Sequence, residues 1–243
     1  MKHFKALTAF ACLSVIILLS SCLKSSKGIH IDGEDLVTVE SLGFMVDYLR
    51  GDLNNEIYYP TNPEVLKVRN TQTGEESYLE RAHIAYSYPE IENSKAGKKI
   101  KIEYVQPIPV QPLNEGRDTI NLDEFGVRIS NLEKPLPAQG YLTFNFSFSL
   151  PPYGQGISAS NFLLFIEDFT KDTVFLRFVD YRKKSDFYES MPQGATISYR
   201  MTPETIMHQC PELDISDSIN VIVKYDQSQG GEKELDSFKI LVR

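Results

Sequence analysis

The sequence predicts an all-β protein made of two consecutive modules, a small barrel and then a β-sandwich. Three observations carry that prediction. Short runs rich in Val, Ile, Tyr and Phe alternate with clusters of Gly, Asn, Asp and Pro along most of the chain. One stretch keeps strict alternation: Leu142, Phe144, Phe146, Phe148 and Leu150 fall on one side, Thr143, Asn145, Ser147 and Ser149 on the other. That period of two requires a strand with one buried and one polar face. No amphipathic run of three helical turns is present. The composition agrees, since 42% hydrophobic residues with 13 Tyr and 14 Phe supply a core and exclude a globally disordered chain.

The chain opens on a segment outside both modules. Lys2 and Lys5 form a basic head, Ala6 to Leu19 is apolar apart from Thr8 and Ser14, and the small residues Ser20 and Ser21 precede Cys22. This is the order of an export signal over residues 1–21. Its apolar run is shorter than the roughly 20 residues of a spanning helix. Leu19-Ser20-Ser21-Cys22 resembles the bacterial lipobox, which implies cleavage between Ser21 and Cys22 and acyl chains, palmitate among them, on Cys22. Each buried methylene contributes roughly 0.8 kcal/mol, so two or more chains would hold the protein on a membrane. Losing Lys2 and Lys5 with the leader takes the net charge from −8 to −10. Such acidity argues against nucleic acid as a partner. Cys12 would leave with the leader and Cys22 would be acylated, so Cys210 has no partner and no intrachain disulfide is expected.

Residues 22–35 read as a polar tether, with Lys24, Ser25, Ser26, Lys27 and Gly28 burying little. Related envelope lipoproteins carry acidic residues just after the cysteine when they are exported to the outside. Lys24 and Lys27 stand there instead, which points to the periplasmic face of the outer membrane over the cell surface.

Residues 36–115 form the first module. Leu36-Val37-Thr38-Val39 is β-branched, and Phe44, Val46 and Tyr48 alternate with Met45, Asp47 and Leu49. Gly51 to Asn55 is a turn, Ile57-Tyr58-Tyr59 resumes a strand, and Pro60 and Pro63 end it. Val65 to Val68 is the next expected strand, closed by a turn at Thr71 to Gly74. Tyr78 to Tyr88 and Lys98 to Tyr104 follow, the latter with apolar residues at every second position and lysines between, as on a half-wet strand. Three prolines between Pro107 and Pro112 cannot sit in a central strand, so the module junction is expected between there and Gly140.

Residues 116–243 form the second module. Phe125 to Ile129 is a candidate first strand. After the alternating stretch, Phe162 to Ile166 is continuously apolar, as an interior strand would be. Val174 to Val179, Ala195 to Met201, Ile219 to Tyr225 and Phe238 to Val242 complete the set, with Gln229-Gly230-Gly231 expected to join the last two as a hairpin. Thr202 to His208, opened by Thr202, Pro203 and Glu204, is the one short helix expected.

Together, the lipobox, the small N-terminal barrel, the Leu142-Thr-Phe-Asn-Phe-Ser-Phe pattern, the Val174-Phe-Leu-Arg-Phe strand and the closing Ile219-Asn-Val-Ile-Val-Lys-Tyr strand resemble the NigD-like lipoproteins of Bacteroides. The resemblance implies an OB-like barrel followed by an immunoglobulin-like sandwich, with no established enzymatic activity. The family name comes from an association with bacteriocin production, which implies an envelope role.

Little in the chain reads as chemistry. His3 lies in the leader, His30 in the tether, His83 in a strand, and His208 two residues before Cys210 without a second pair of ligands, so no metal is expected. Asp214, Ser216, Asp217 and Ser218 are oxygen-rich but read as a turn before a strand. Asp118, Asp123 and Glu124 could supply the paired carboxylates of an envelope-polymer hydrolase, but such triplets arise freely in an acidic chain and read as linker solvation. No nucleophile elbow, phosphate loop or cofactor motif is present. Tyr58, Tyr59, Tyr86 and Tyr88 are the candidate ligand-stacking residues, with Tyr104 nearby. On an OB-like face, tyrosines could stack on a glycan or hold a partner peptide. The function expected is therefore a non-catalytic, lipid-anchored envelope protein that binds a partner protein or a glycan.

Overall fold

The computed structural model describes residues 29–42, 44–70, 73–89, 97–115, 129–149, 158–182, 192–213, 218–227 and 231–241. Ser21 and Cys22, the candidate acids Asp118, Asp123 and Glu124, and the oxygen cluster at Asp214, Ser216 and Asp217 lie outside them.

The first module contains β1 (Gly33–Leu42), β2 (Met45–Gly51), β3 (Ile57–Pro60), β4 (Lys67–Arg69), β5 (Glu76–Tyr78), β6 (Arg81–Ser87) and β7 (Lys98–Pro107). Five of these close into a barrel in the order β1-β2-β3-β7-β6, with β6 returning to β1. Only β3 and β7 run parallel. This is a five-stranded barrel of the OB type, and closure leaves it no free edge. Val37, Leu49, Tyr58, Ala82, Ile84, Ile100 and Ile102 fill the interior. The alternation of the lysine-rich stretch sets which residues enter: Ile100 and Ile102 are buried while Lys99 and Lys101 face water.

Two expectations for this half are corrected. Pro63–Leu66 is a 3-10 turn, not the start of a strand, because Pro63 has no N–H to give a ladder; strand pairing begins only at Lys67, in the β4–β5 hairpin outside the barrel. The strand β1 also takes in Gly33, Glu34 and Asp35, assigned above to the tether. The Asp32 amide donates to the Tyr86 carbonyl at 2.8 Å, and pairing with β6 runs from Gly33, so the chain is fixed before Leu36.

The second module contains β8 (Val110–Pro112), β9 (Ile129–Leu132), β10 (Leu136–Ala138), β11 (Tyr141–Ser149), β12 (Phe162–Phe169), β13 (Thr173–Asp180), β14 (Pro192–Arg200), α1 (Pro203–Gln209), β15 (Ser218–Gln227), β16 (Gly231–Glu234) and β17 (Phe238–Leu241). Its ten strands form one sheet along β12-β13-β15-β9-β11-β14-β8, with β10 on β11, and β16 and β17 on β15. The sheet curls into two layers. Among the described residues, β15 meets β9 at Gln227 and Ile129. Aromatic rings fill the space between the layers. Phe144 of β11 stacks on Phe178 of β13 at 5.1 Å, Phe146 meets Phe162 edge-on at 4.6 Å, and the Tyr199 hydroxyl donates to the Phe162 carbonyl at 2.9 Å. Each such buried side chain contributes roughly 1.5–3 kcal/mol.

Three further corrections follow. Phe162 to Ile166 lies at the end of the sheet order, not inside it. Its apolar run is explained by the facing layer and by a bridge from Asn114 to Phe165. The β8 strand, placed above with the first module, pairs with β14, and Leu113 joins the sandwich core; the crossover lies near Pro107. The loop ending at Gly231 leads β15 into β16, and β17 pairs with the other half of β15. The short helix forms as expected. The Thr202 hydroxyl accepts the Thr205 amide at 3.3 Å, Pro203 opens the first turn, and Ile206 is buried.

Candidate functional site

The polar face of β11 decides where the modules meet. Thr143, Asn145 and Ser147 point away from the aromatic core, toward the barrel. Thr143 is nevertheless 98% buried, because it enters a buried polar cluster around Arg81 of β6. The Arg81 guanidinium uses all five of its N–H donors. Nη1 donates to Thr38 Oγ1 at 2.7 Å and Asp52 Oδ1 at 3.0 Å, Nη2 donates to Asp52 Oδ2 and to Thr143 Oγ1 at 2.9 Å, and Nε donates to Ser198 Oγ at 3.3 Å. Thr143 and Ser198 are bonded to each other at 2.8 Å, and the guanidinium lies 4.8 Å from the Tyr141 ring centre. Arg81 and the Asp52 side chain have no solvent exposure. Burial pushes the Asp52 carboxyl up, against the opposing pull of Arg81. At the rim, Glu80 accepts from Arg200 Nε at 2.7 Å and from the Tyr141 hydroxyl. Burial raises Glu80, but these donors outweigh it and hold the carboxyl below its usual range. A charge this well paired and this dry fixes geometry. Thr38 and Asp52 belong to the barrel, Thr143 and Ser198 to the sandwich, so Arg81 clamps one to the other.

Beside the clamp runs a groove. Its first section, about 510 Å³, lies between the modules, with Glu34, Asp35 and His83 on the barrel side and Leu136, Asn145 and Thr196 on the sandwich side. The second, about 340 Å³, shares Gln106, Asn145 and Thr196 with it and adds Asn131, Glu133 and Ser147. The third, about 320 Å³, continues over Gly194, Ala195 and Thr196 to Pro109, Phe148, Ala159 and Phe162. Both end sections of the groove carry apolar residues, Leu36, Leu53, Ile108 and Leu136 in the first and Phe148 and Phe162 in the third, and the polar stretch lies between them. Its middle is lined by amides, hydroxyls and one carboxylate, with Thr196 Oγ1 donating to Asn145 Oδ1 at 2.8 Å.

Asp35 is unusual among the lining residues. It is 97% buried, its Oδ2 accepts from the Tyr58 hydroxyl at 3.0 Å, and its Oδ1 has no partner at hydrogen-bonding geometry. Burial pushes its carboxyl up, and Tyr58 and the amides of Leu36 and Leu53 offset part of that. Neighbours on one strand project to opposite faces, so Glu34 and Asp35 do not converge as an acid–base pair would.

The four candidate tyrosines divide. Tyr58 and Tyr86 are barrel core, with ring centres 5.2 Å apart. Their rings are inside because barrel closure turns that face of β3 and β6 inward, so neither can stack on a ligand. Tyr59 is half-buried over Gly97, where a Cβ would lie 2.7 Å from the ring. Tyr88 is 39% exposed, edge-on to Tyr86, and Tyr104 is more exposed on the outer face of β7, on the strand that also carries Gln106. Of the four, Tyr59 and Tyr88 keep part of the ring accessible. His208 is exposed at the end of α1, while the Cys210 thiol is buried in the sandwich core and pushed up to about 11 by that burial. Among the described residues, no group of three His, Cys, Asp or Glu could hold a metal ion. The sequence carries no local sign of the Arg81 clamp: Arg81 opens β6 directly after Glu80, in a mixed stretch that also carries His83 and Ser87.

No family model matches the sequence, nor does any curated protein. Solved structures do. A candidate toxin-related protein from Parabacteroides distasonis is similar with a TM-score of 0.59 at 15% identity, over 86% of this chain and 93% of its own. A NigD-like immunity protein from Bacteroides caccae is similar at 0.54 and 14% identity, over 87% and 97%. A candidate lipoprotein from Bacteroides fragilis is similar at 0.51 and 10% identity, over 87% and 98%. At these identities the likeness is one of fold, and it spans both modules in all three.

Proposed function

We propose that this chain is a NigD-like lipoprotein, held on the cell envelope by acyl chains on Cys22. It acts there as a non-catalytic binding protein whose two modules hold a partner protein or a glycan between them. The observation that carries this reading is the groove. Both modules contribute to it, the Arg81 clamp holds its two sides in place, and its middle is lined by hydrogen-bonding amides and hydroxyls around one carboxylate. The lipobox and the fold shared with the NigD-like protein and the candidate lipoprotein support the envelope setting. Lys24 and Lys27 favour the periplasmic face of the outer membrane.

Two measurements test it. Mass spectrometry of the mature chain should find acylated Cys22, and Cys22→Ser should move the protein from the membrane to the soluble fraction. Crosslinking in intact cells from positions along the groove should then capture a specific partner. Recovery of unmodified Cys22 in a freely soluble exported form would overturn the anchor. Cleavage of an envelope glycan or peptide by the purified protein, abolished by Asp118 or Asp123 substitution, would overturn the binding role in favour of a hydrolase.

A further inference from the structure

The edge of β14 is only half used. β8 lies beside it from Ser198 to Arg200 and no further. The reason is in the sequence: Pro107 and Pro109 lack the N–H that would extend the pairing, and Ile108 turns away to donate its amide to Arg81 of the barrel at 3.1 Å. Among the described residues, nothing pairs with this edge from Pro192 to Ile197. That is six residues, about 20 Å of strand. The direction of its main-chain groups follows from Ser198, whose amide points to this edge and donates to Pro109 at 3.0 Å. Successive residues of a strand turn these groups to opposite edges, so Gly194 and Thr196 present both N–H and C=O here. Gln193 and Gly194 are exposed to solvent.

The second and third sections of the groove lie on the two sides of this edge and share Gly194, Ala195 and Thr196. One side is polar, with Gln106, Asn131, Glu133 and Asn145 and no basic side chain. The other is apolar, with Pro109, Phe148, Ala159, Phe162 and Ile197. An added strand would send alternate side chains into each.

We propose that the free edge of β14 is a strand-addition site for an extended peptide segment of a partner protein, with apolar residues alternating with basic or amide ones. This rests on reading the chain as a binding protein, and selects protein over glycan as its ligand. The occupant is a peptide because paired donors and acceptors recurring every second residue are matched by another main chain. A sugar has no such repeat. Glu133, unopposed in its section of the groove, selects a basic residue on the polar side.

The test uses the full mature chain and a fluorescent octapeptide of alternating lysine and valine, followed by anisotropy. The octapeptide should bind. N-methylating the amides along one edge of the peptide should weaken it about tenfold, while N-methylating the other edge should not. Gly194→Pro removes a donor that has no native partner, at a position where a Cβ meets nothing within 4 Å. It should also cost about tenfold, and Gly194→Ala should not. Glu133→Lys should weaken the lysine peptide at low salt and favour a glutamate–valine one. Equal binding of both N-methylated peptides, or unchanged binding by a folded Gly194→Pro variant, would overturn the inference. So would self-association of the chain blocked by Gly194→Pro, which makes a second copy the occupant. If a neutral or amino-sugar oligosaccharide occupies the groove and the octapeptide does not, the peptide inference falls while the binding role stands.

Discussion

Replacing Arg81 by Met should cost about 3–5 kcal/mol, the usual loss when one member of a buried ion pair is removed and the other is left behind. The structure places the effect at that level for a specific reason. The Asp52 side chain is fully buried and, among the described residues, Arg81 is the one cation bonded to it, so the variant strands a carboxylate with no water to solvate it. Thr143 and Ser198 lose less, because they keep the 2.8 Å bond between them. Against a typical total of about 5–15 kcal/mol this is a large fraction. With a urea slope of about 1–3 kcal/mol/M, the midpoint should fall by more than 1 M. The clamp joins two cores, so the loss should also split one cooperative transition into two, which intrinsic tyrosine fluorescence and far-UV circular dichroism would report at different urea concentrations. Removing both charges, as Arg81→Met with Asp52→Leu, should recover most of the loss, since well-packed apolar replacements of buried pairs are often neutral. A cost under about 1 kcal/mol for Arg81→Met, or no recovery in the double variant, would refute the assignment of Arg81 as the joint between the modules.

Two other outcomes follow from buried groups. Burial holds the Asp35 carboxyl above its ordinary value, with Glu56 adding to the shift and Tyr58 opposing it, so the folded protein keeps this proton longer than the unfolded chain does. Its contribution is fully present below the unfolded pKa and is lost as pH rises through the folded one; Asp35→Asn should therefore raise the urea midpoint at pH 7.5 and change it little near pH 3. A variant equally destabilised at both pH values would contradict this. The Cys210 thiol, pushed up to about 11 and buried in the sandwich core, should react with iodoacetamide only as fast as the sandwich opens. Rapid labelling of the native protein would show the core is not closed there.

The residues that were legible in the sequence are those whose burial is set along one strand. Phe144, Phe146 and Phe148 entered the core because alternation alone dictates one face. Ile100 and Ile102 did so for the same reason. Thr143 was not legible, since a threonine on a polar face is ordinarily wet. It is dry because of an arginine 62 residues earlier. Arg81 itself draws partners from positions 38, 52, 143 and 198, up to 117 residues away, and no local pattern encodes that convergence. The tyrosines failed in a related way. In Ile57-Tyr58-Tyr59 any residue could take the inner face, and closure of the barrel chose Tyr58. The prolines around Pro109 did forbid a central strand, but which edge they left open depends on β14, some 85 residues later.

The clamp and the groove draw on the same strands, and that shared origin couples them. β6 gives Arg81 to the clamp and His83 to the groove. β11 gives Thr143 to the clamp and Asn145 and Ser147 to the groove, and β14 gives Ser198 to the clamp and Gly194 and Thr196 to the groove. Each pair is two or four residues apart on one strand face. Groove width is therefore set by a cluster that no ligand touches, and a groove held open in advance saves the ordering cost of binding. The coupling must run both ways. An occupant that spans β14 and the barrel wall stabilises the joined state over one in which the modules separate, by an amount that grows with its concentration over Kd. In Arg81→Met, where the modules are freed from one another, the same occupant should bind more weakly and, at equal concentration, raise the unfolding midpoint less than in the parent. If the occupant stabilised the sandwich alone and left the barrel transition unmoved, it would be held by the β14 edge without the barrel wall.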